Sequence, residues 1–169
     1  AYYETVGQNW ERAAMIKARP VAGDIELGRR FIADLAPFIW RKYFDFAAIA
    51  DIHAMKRQIQ SVKGFETLSL PGHNVKLGRG GIREIEFFVQ AQQLLHGGRN
   101  SGLRERNTLG ALQQLEAAGL VGARDRDELS AAYLLLRAVE HRLQIVDDRQ
   151  THTLPTGDYD QDAIARSLG

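Results

Sequence analysis

The sequence predicts an all-α fold, a bundle of about five to seven helices near the usual three-turn length. Three observations carry that expectation. Apolar residues recur at three- and four-residue spacing along most of the 169 residues. Glycine and proline gather at a few breaks, above all between positions 61 and 81. Residues able to cap a helix, such as Asp24 and Asn107, stand just before the apolar runs. The reading is one helical domain over 1–169, with an internal glycine-rich loop over 61–81.

Tyr2 to Ala18 reads as a helix with Ala13, Ala14, Met15 and Ile16 on its apolar side, closed by Pro20 and Gly23. Asp24 caps the next helix, whose buried stripe is expected at Ile25, Leu27, Phe31, Ile32 and Leu35. Pro37 lacks an N–H donor and kinks or restarts that helix before Phe38, Ile39 and Trp40. Phe46 to Ile59 is a further helix by the spacing of Ile49, Ile52, Met55 and Ile59. The glycine-rich loop follows, with a short extended piece at Asn74 to Leu77. Ile82 to Leu95 is helical and ends at Gly97 and Gly98. Asn107 caps a helix over Thr108 to Ala118, which Gly119 stops. Asp125 to Asp147 is the longest helix, and Asp160 to Leu168 a short last one after Pro155 and Gly157.

Composition narrows the function classes. With 44% hydrophobic and 25% charged residues, the chain suits an ordinary globular fold. A formal net charge of +1 argues against a general nucleic-acid binder. Without cysteine there is no disulfide and no thiolate metal site, which fits a reducing compartment such as the cytoplasm. No apolar run reaches the length of a membrane span, and Leu129 to Val146 is broken by Arg137, Glu140, His141 and Arg142. The start, Ala1-Tyr2-Tyr3-Glu4, has neither a signal-peptide pattern nor an initiator Met, so an excised or processed piece is expected.

Lys76-Leu77-Gly78-Arg79-Gly80-Gly81-Ile82-Arg83-Glu84 runs a glycine-rich loop straight into a helix. Glycines allow close backbone approach, and a helix start offers free N–H groups and a positive dipole end, so the pattern suits phosphate. It has neither the Gly-Lys-Ser/Thr ending of a Walker loop nor the strand–turn–helix setting of a dinucleotide fingerprint. On pattern alone, a tight turn with exposed arginines takes precedence.

Helical rotation places Arg83, Glu86, Gln90 and Gln93 on a narrow polar stripe, with Glu84 beside Phe88, Ala91 and Leu95. In the longest helix Tyr133, Arg137, Glu140, His141 and Gln144 share a polar side, whereas Arg142 projects beside Ala131 and Leu135. A charge on an apolar side needs a partner or must snorkel to water, so Glu84 and Arg142 are expected to pair, with each other or with another buried charge. That pairing orders the fold rather than performing chemistry. The five histidines (His53, His73, His96, His141 and His152) show no metal-ligand spacing. Asp147 and Asp148 point in different directions on a helix, and no metal site is expected.

Longer segments carry more than spacing does. Val75-Lys76-Leu77-Gly78-Arg79-Gly80-Gly81-Ile82-Arg83-Glu84-Ile85-Glu86-Phe87 closely resembles a signature of bacterial glutamine synthetase adenylyltransferase/adenylyl-removing enzymes. Tyr2-Tyr3-Glu4-Thr5-Val6-Gly7, Trp10-Glu11-Arg12 and Lys17-Ala18-Arg19 resemble the family's segment after its catalytic sheet. Val139 to Gln144, Asp147-Asp148 and Gln150 to Pro155 resemble a third segment, in the family's order. The glycine loop is also similar to a looser version in PII uridylyltransferases.

The resemblance implies the helical part that follows the N-terminal, adenylyl-removing sheet of an enzyme with two nucleotidyltransferase domains. That enzyme attaches AMP from ATP to a tyrosine of glutamine synthetase and removes it by phosphorolysis, in the control of nitrogen assimilation. It implies Mg²⁺ and ATP for the whole enzyme, and as partners glutamine synthetase, the PII signal protein and the catalytic domains of the same chain. The superfamily's Gly-Ser motif and strand Asp-x-Asp are absent here. Asp158-Tyr159-Asp160 has the spacing but follows Pro155 and Gly157 in an expected surface loop. The chain alone is therefore expected to be inactive. Lys17, Arg19, Arg79 and Arg83 are the candidates to contact phosphate, nucleotide or partner, with a docking or relay module as the alternative reading.

Overall fold

The computed structural model describes residues 2–42, 69–147 and 150–169. The helix expected over Phe46 to Ile59, positions 61–68 of the loop, and Asp148 lie outside the described residues. The architecture is helical, as the spacing predicts: α1 (Tyr2–Thr5), α2 (Asn9–Met15), α3 (Ile25–Ile39), α4 (Ile82–His96), a 3₁₀ turn (Ser101–Leu103), α5 (Thr108–Ala117), α6 (Ala123–Asp147) and α7 (Asp158–Leu168). Among the described residues the extended structure is an isolated antiparallel bridge between Asn74 and Thr153. The chain groups into two compact units, Ala1–Met55 with Phe88–Gly122 and Lys56–Phe87 with Ala123–Gly169.

In the first unit, the helix expected over Tyr2 to Ala18 is two helices. Glu11 accepts the Gln8 N–H at 2.7 Å, which starts α2 afresh after the break at Gly7. A side chain at Gly7 would run into the Phe38 ring, so the break is also a close approach. Asp24 Oδ1 accepts the Leu27 N–H at 2.9 Å and caps α3 as expected. Pro37 lies inside α3, two residues before its end at Ile39.

The expected apolar stripe of α3 needs correcting. Leu27 and Phe31 are exposed, and the buried residues are Leu35, Phe38 and Ile39. Packing against α1 and α2 buries the C-terminal half of α3 and leaves its first turns outside. Asn107 Oδ1 accepts the Leu109 and Gly110 N–H groups, and Gly119 takes φ +70 at the stop of α5, both as expected. Leu103, Ala111, Leu112 and Leu115 form the tightest part of this core. Gln93 is buried and satisfied: its amide donates to the Leu103 and Glu105 carbonyls at 2.7 and 2.6 Å.

Arg12 is buried in the same unit. It donates to the Phe38 carbonyl at 2.6 Å, and its guanidinium stands 4.2 Å from the centre of the Phe38 ring. A cation at the last carbonyls of α3 meets the negative end of the helix dipole. Burial, with the nearby Arg41 charge adding to it, lowers the Arg12 pKa to about 10.

In the second unit, Val75, Leu143 and Ile164 make the core, with Leu136, Val139, Leu154 and Leu168 packed on it. The loop carries Val75, α6 carries Leu136, Val139 and Leu143, and α7 carries Ile164 and Leu168. This unit contains the glycine-rich segment.

Candidate functional site

The glycine segment is a closed loop. Val75 donates its N–H to His152 and the Leu154 N–H donates to His73, which pins one limb to the 152–154 segment. Asn74 Oδ1 accepts the Lys76 and Leu77 N–H groups at 3.1 and 2.8 Å and folds the first turn. The Ile82 and Arg83 N–H groups, at the start of α4, donate back to the Val75 and Lys76 carbonyls at 2.9 and 3.0 Å. The Glu84 N–H donates to Gly81, and the Glu84 carboxylate accepts the Gly80 N–H at 3.0 Å.

The backbone donors that would cradle a phosphate are thus turned inward onto the loop's own oxygens. The tight-turn reading describes this geometry. Glycine is required at two points for different reasons. Gly80 takes φ +73, which L side chains rarely adopt. A Cβ on Gly81 would lie 2.7–3.0 Å from the Val75, Gly78 and Lys76 carbonyl oxygens.

Beneath the loop is a buried carboxylate. Glu140 is 2% exposed and sits 2.6 Å from Arg137, 3.2 Å from Lys76 Nζ and 3.1 Å from His152 Nδ1. Oε1 is within ion-pair distance of Lys76 and His152 at angles that form no hydrogen bond, while Oε2 accepts from Arg137. The Gln144 amide stands 3.4 Å from His152 Nδ1. One carboxylate therefore ties α6, the glycine loop and the 150–155 segment together. The sequence put Glu140 on a polar side and did not single it out. A helical wheel cannot show which polar residue a distant loop will cover, and Lys76 and His152 gave no sign of converging on it.

Glu84 and Arg142, the two charges expected on apolar sides, each have a backbone partner. Glu84 accepts from Gly80, and Arg142 is exposed and donates to the Ser167 carbonyl at 3.2 Å. The buried charge of α6 is Glu140, and the side of α6 that holds Arg142 faces water.

The four expected contact residues belong to two different units. Lys17 is half-buried in the first unit, and its Nζ donates to Thr108 Oγ1 at 3.2 Å; Arg19 is exposed. Arg79 and Arg83 belong to the second unit, on the glycine loop and at the start of α4, and both are exposed. Arg83 pairs with Glu86 at 3.1 Å, and the Tyr133 hydroxyl donates to the other Glu86 oxygen at 3.3 Å. Asp158-Tyr159-Asp160 is the exposed first turn of α7 rather than a loop. Among the described residues no group of three or more His, Asp or Glu is placed to hold a metal ion.

Fold and site together define a helical module, organised by a closed glycine loop over a buried carboxylate and presenting arginines outward. A family model described as GlnD PII-uridylyltransferase matches residues 52–169, and one described as glutamate-ammonia ligase adenylyltransferase matches residues 1–34. Over 99% of its length the chain is similar to proteins named bifunctional glutamine synthetase adenylyltransferase/adenylyl-removing enzyme. It is 60% identical to that of Mesorhizobium japonicum, 57% to that of Rhizobium meliloti and 60% to that of Agrobacterium fabrum. It spans 17% of the length of each. The chain belongs to the glutamine synthetase adenylyltransferase family, as a helical stretch of it that the uridylyltransferase model also describes.

Proposed function

We propose that this chain is an accessory helical part of a bifunctional glutamine synthetase adenylyltransferase/adenylyl-removing enzyme, serving its adenylyl-removing half. The observation that carries this reading is the identity of 60% across 99% of the chain with a relative of that name. In this reading the whole enzyme transfers AMP from ATP to a tyrosine of glutamine synthetase and removes it with phosphate. Mg²⁺ and ATP act in catalytic domains elsewhere in the chain. PII and glutamine synthetase are its partners and the bacterial cytoplasm its setting. No helix of the described residues is long and apolar enough to cross a membrane.

Within that enzyme the inward-turned loop amides leave phosphate binding to side chains. Arg79 and Arg83 are exposed and offer guanidinium groups to a phosphate, a nucleotide or the surface of glutamine synthetase. Lys17 and Arg19 serve the first unit in the same way. The second reading, a docking or relay module, draws on the same exposure of the two loop arginines.

The test is phosphorolysis by the chain alone. It is incubated with adenylylated glutamine synthetase, phosphate and Mg²⁺, and ADP is followed beside the full-length enzyme. The account expects ADP from the full-length enzyme only. ADP from the chain alone would place a complete active site within these residues and refute the accessory reading.

A further inference from the structure

α6 carries a second apolar side that nothing among the described residues covers. Leu134 and Leu135 are 56% and 57% exposed, and Ile145 and Val146 are 70% and 71% exposed. Ala131, Leu135, Ala138, Arg142 and Ile145 follow one another at steps of four, three, four and three residues. That is the seam spacing of one helix packed along another, with Leu134 and Val146 flanking it. The stripe is about 22 Å long at 1.5 Å per residue. The neighbouring side is already spent on Leu136, Val139 and Leu143 in the core of the second unit.

The polar groups around the stripe are committed elsewhere. Arg142, the charge within it, is drawn aside to the Ser167 carbonyl of α7. At its N-terminal end Glu128 is paired with Arg124 and Asp127 with Arg126. What remains for a partner is apolar, with the small Ala138 at the centre allowing close approach. Free-standing proteins rarely leave an apolar strip of this kind in water.

We infer that this stripe is the seat of an apolar helix supplied by another part of the same, longer polypeptide. Two observations favour that occupant over a second copy. The relatives are several times longer than this chain, which spans 17% of them, so the stripe lies within much more protein. A parallel pairing of two copies along the stripe would bring the two Arg142 side chains into the same layer, where like charges repel. The inference needs only family membership and stands whether or not Arg79 and Arg83 contact a substrate.

The test is thiol accessibility in the full-length protein. Leu135→Cys and Ile145→Cys are labelled with a maleimide beside Asp125→Cys, an exposed position on the same helix about 120° round from the seam. Labelling is read at each site by peptide mass spectrometry, and the mass of the unlabelled protein by light scattering. The expectation is a monomer in which positions 135 and 145 react about tenfold more slowly than position 125. Ala138→Cys, the smallest change, repeats the measurement if either larger substitution impairs folding. Equal labelling at all sites would overturn the inference. So would protection that appears only on dimerisation, or only on adding glutamine synthetase, since the occupant would then be a second copy or a separate partner.

Discussion

Glu140 is the residue on which the polar interior of the second unit depends, because three basic side chains from three segments converge on it. Glu140→Ala would leave Lys76 and Arg137 without their counter-charge. Both keep some contact with water, so the expected cost is about 2 kcal/mol, below that of a fully buried pair. Chemical denaturation of the two proteins measures it. Gly81→Ala and Gly80→Ala separate two uses of glycine in one loop. The first forces a methyl group against three backbone carbonyl oxygens, with an expected loss of about 2–3 kcal/mol. The second meets open space and costs only the strain of a positive φ, about 1 kcal/mol. Equal losses in thermal unfolding would contradict this account of the loop.

Arg12 makes a pH prediction. Its folded pKa of about 10 lies well below the ordinary arginine value, so the folded state holds the proton less tightly than the unfolded chain. The penalty is fully present below about pH 10 and is relieved as pH rises toward the ordinary value. Wild type should therefore gain stability relative to Arg12→Met as pH rises above about 10. A constant difference across that range would show that the buried cation carries no such penalty.

At the scale of the element, helix ends were the most legible feature of the sequence. Asp24 and Asn107 cap α3 and α5 through the bonds their side chains were expected to accept. Asn107→Ala should cost about 1 kcal/mol in thermal unfolding, with the buried Leu112 and Leu115 still holding α5 in place. Which side of a helix would be buried was less legible. In α3 the periodicity marked Leu27 and Phe31 as core, and the structure exposes both. In α6 the apolar side the periodicity marked, with Ala131 and Leu135, is the exposed one, and the buried side, with Leu136, Val139 and Leu143, was not singled out. Periodicity reports that a side is apolar; only the tertiary arrangement decides what covers it. The same limit explains Glu140, whose burial depends on a loop more than fifty residues away in sequence.

At the scale of the whole molecule, the glycine segment shows how far a motif can be read. Its composition suited a phosphate cradle, and its hydrogen bonds close the loop on itself instead. The groups turned outward are the side chains of Arg79 and Arg83, which the sequence did single out. The most direct test of the account is the full-length enzyme with Arg79 and Arg83 both changed to Ala. Both side chains are exposed, so the thermal midpoint should stay within the range of an ordinary surface change, about 0.5 kcal/mol. Removal of AMP from adenylylated glutamine synthetase should nevertheless lose about tenfold in kcat/KM, about 1.4 kcal/mol of interaction with the partner or its phosphate. A rise in KM alone assigns the arginines to docking, and a fall in kcat assigns them to the reacting phosphate. Unchanged kcat and KM would contradict the account and reduce this module to a scaffold for the catalytic domain.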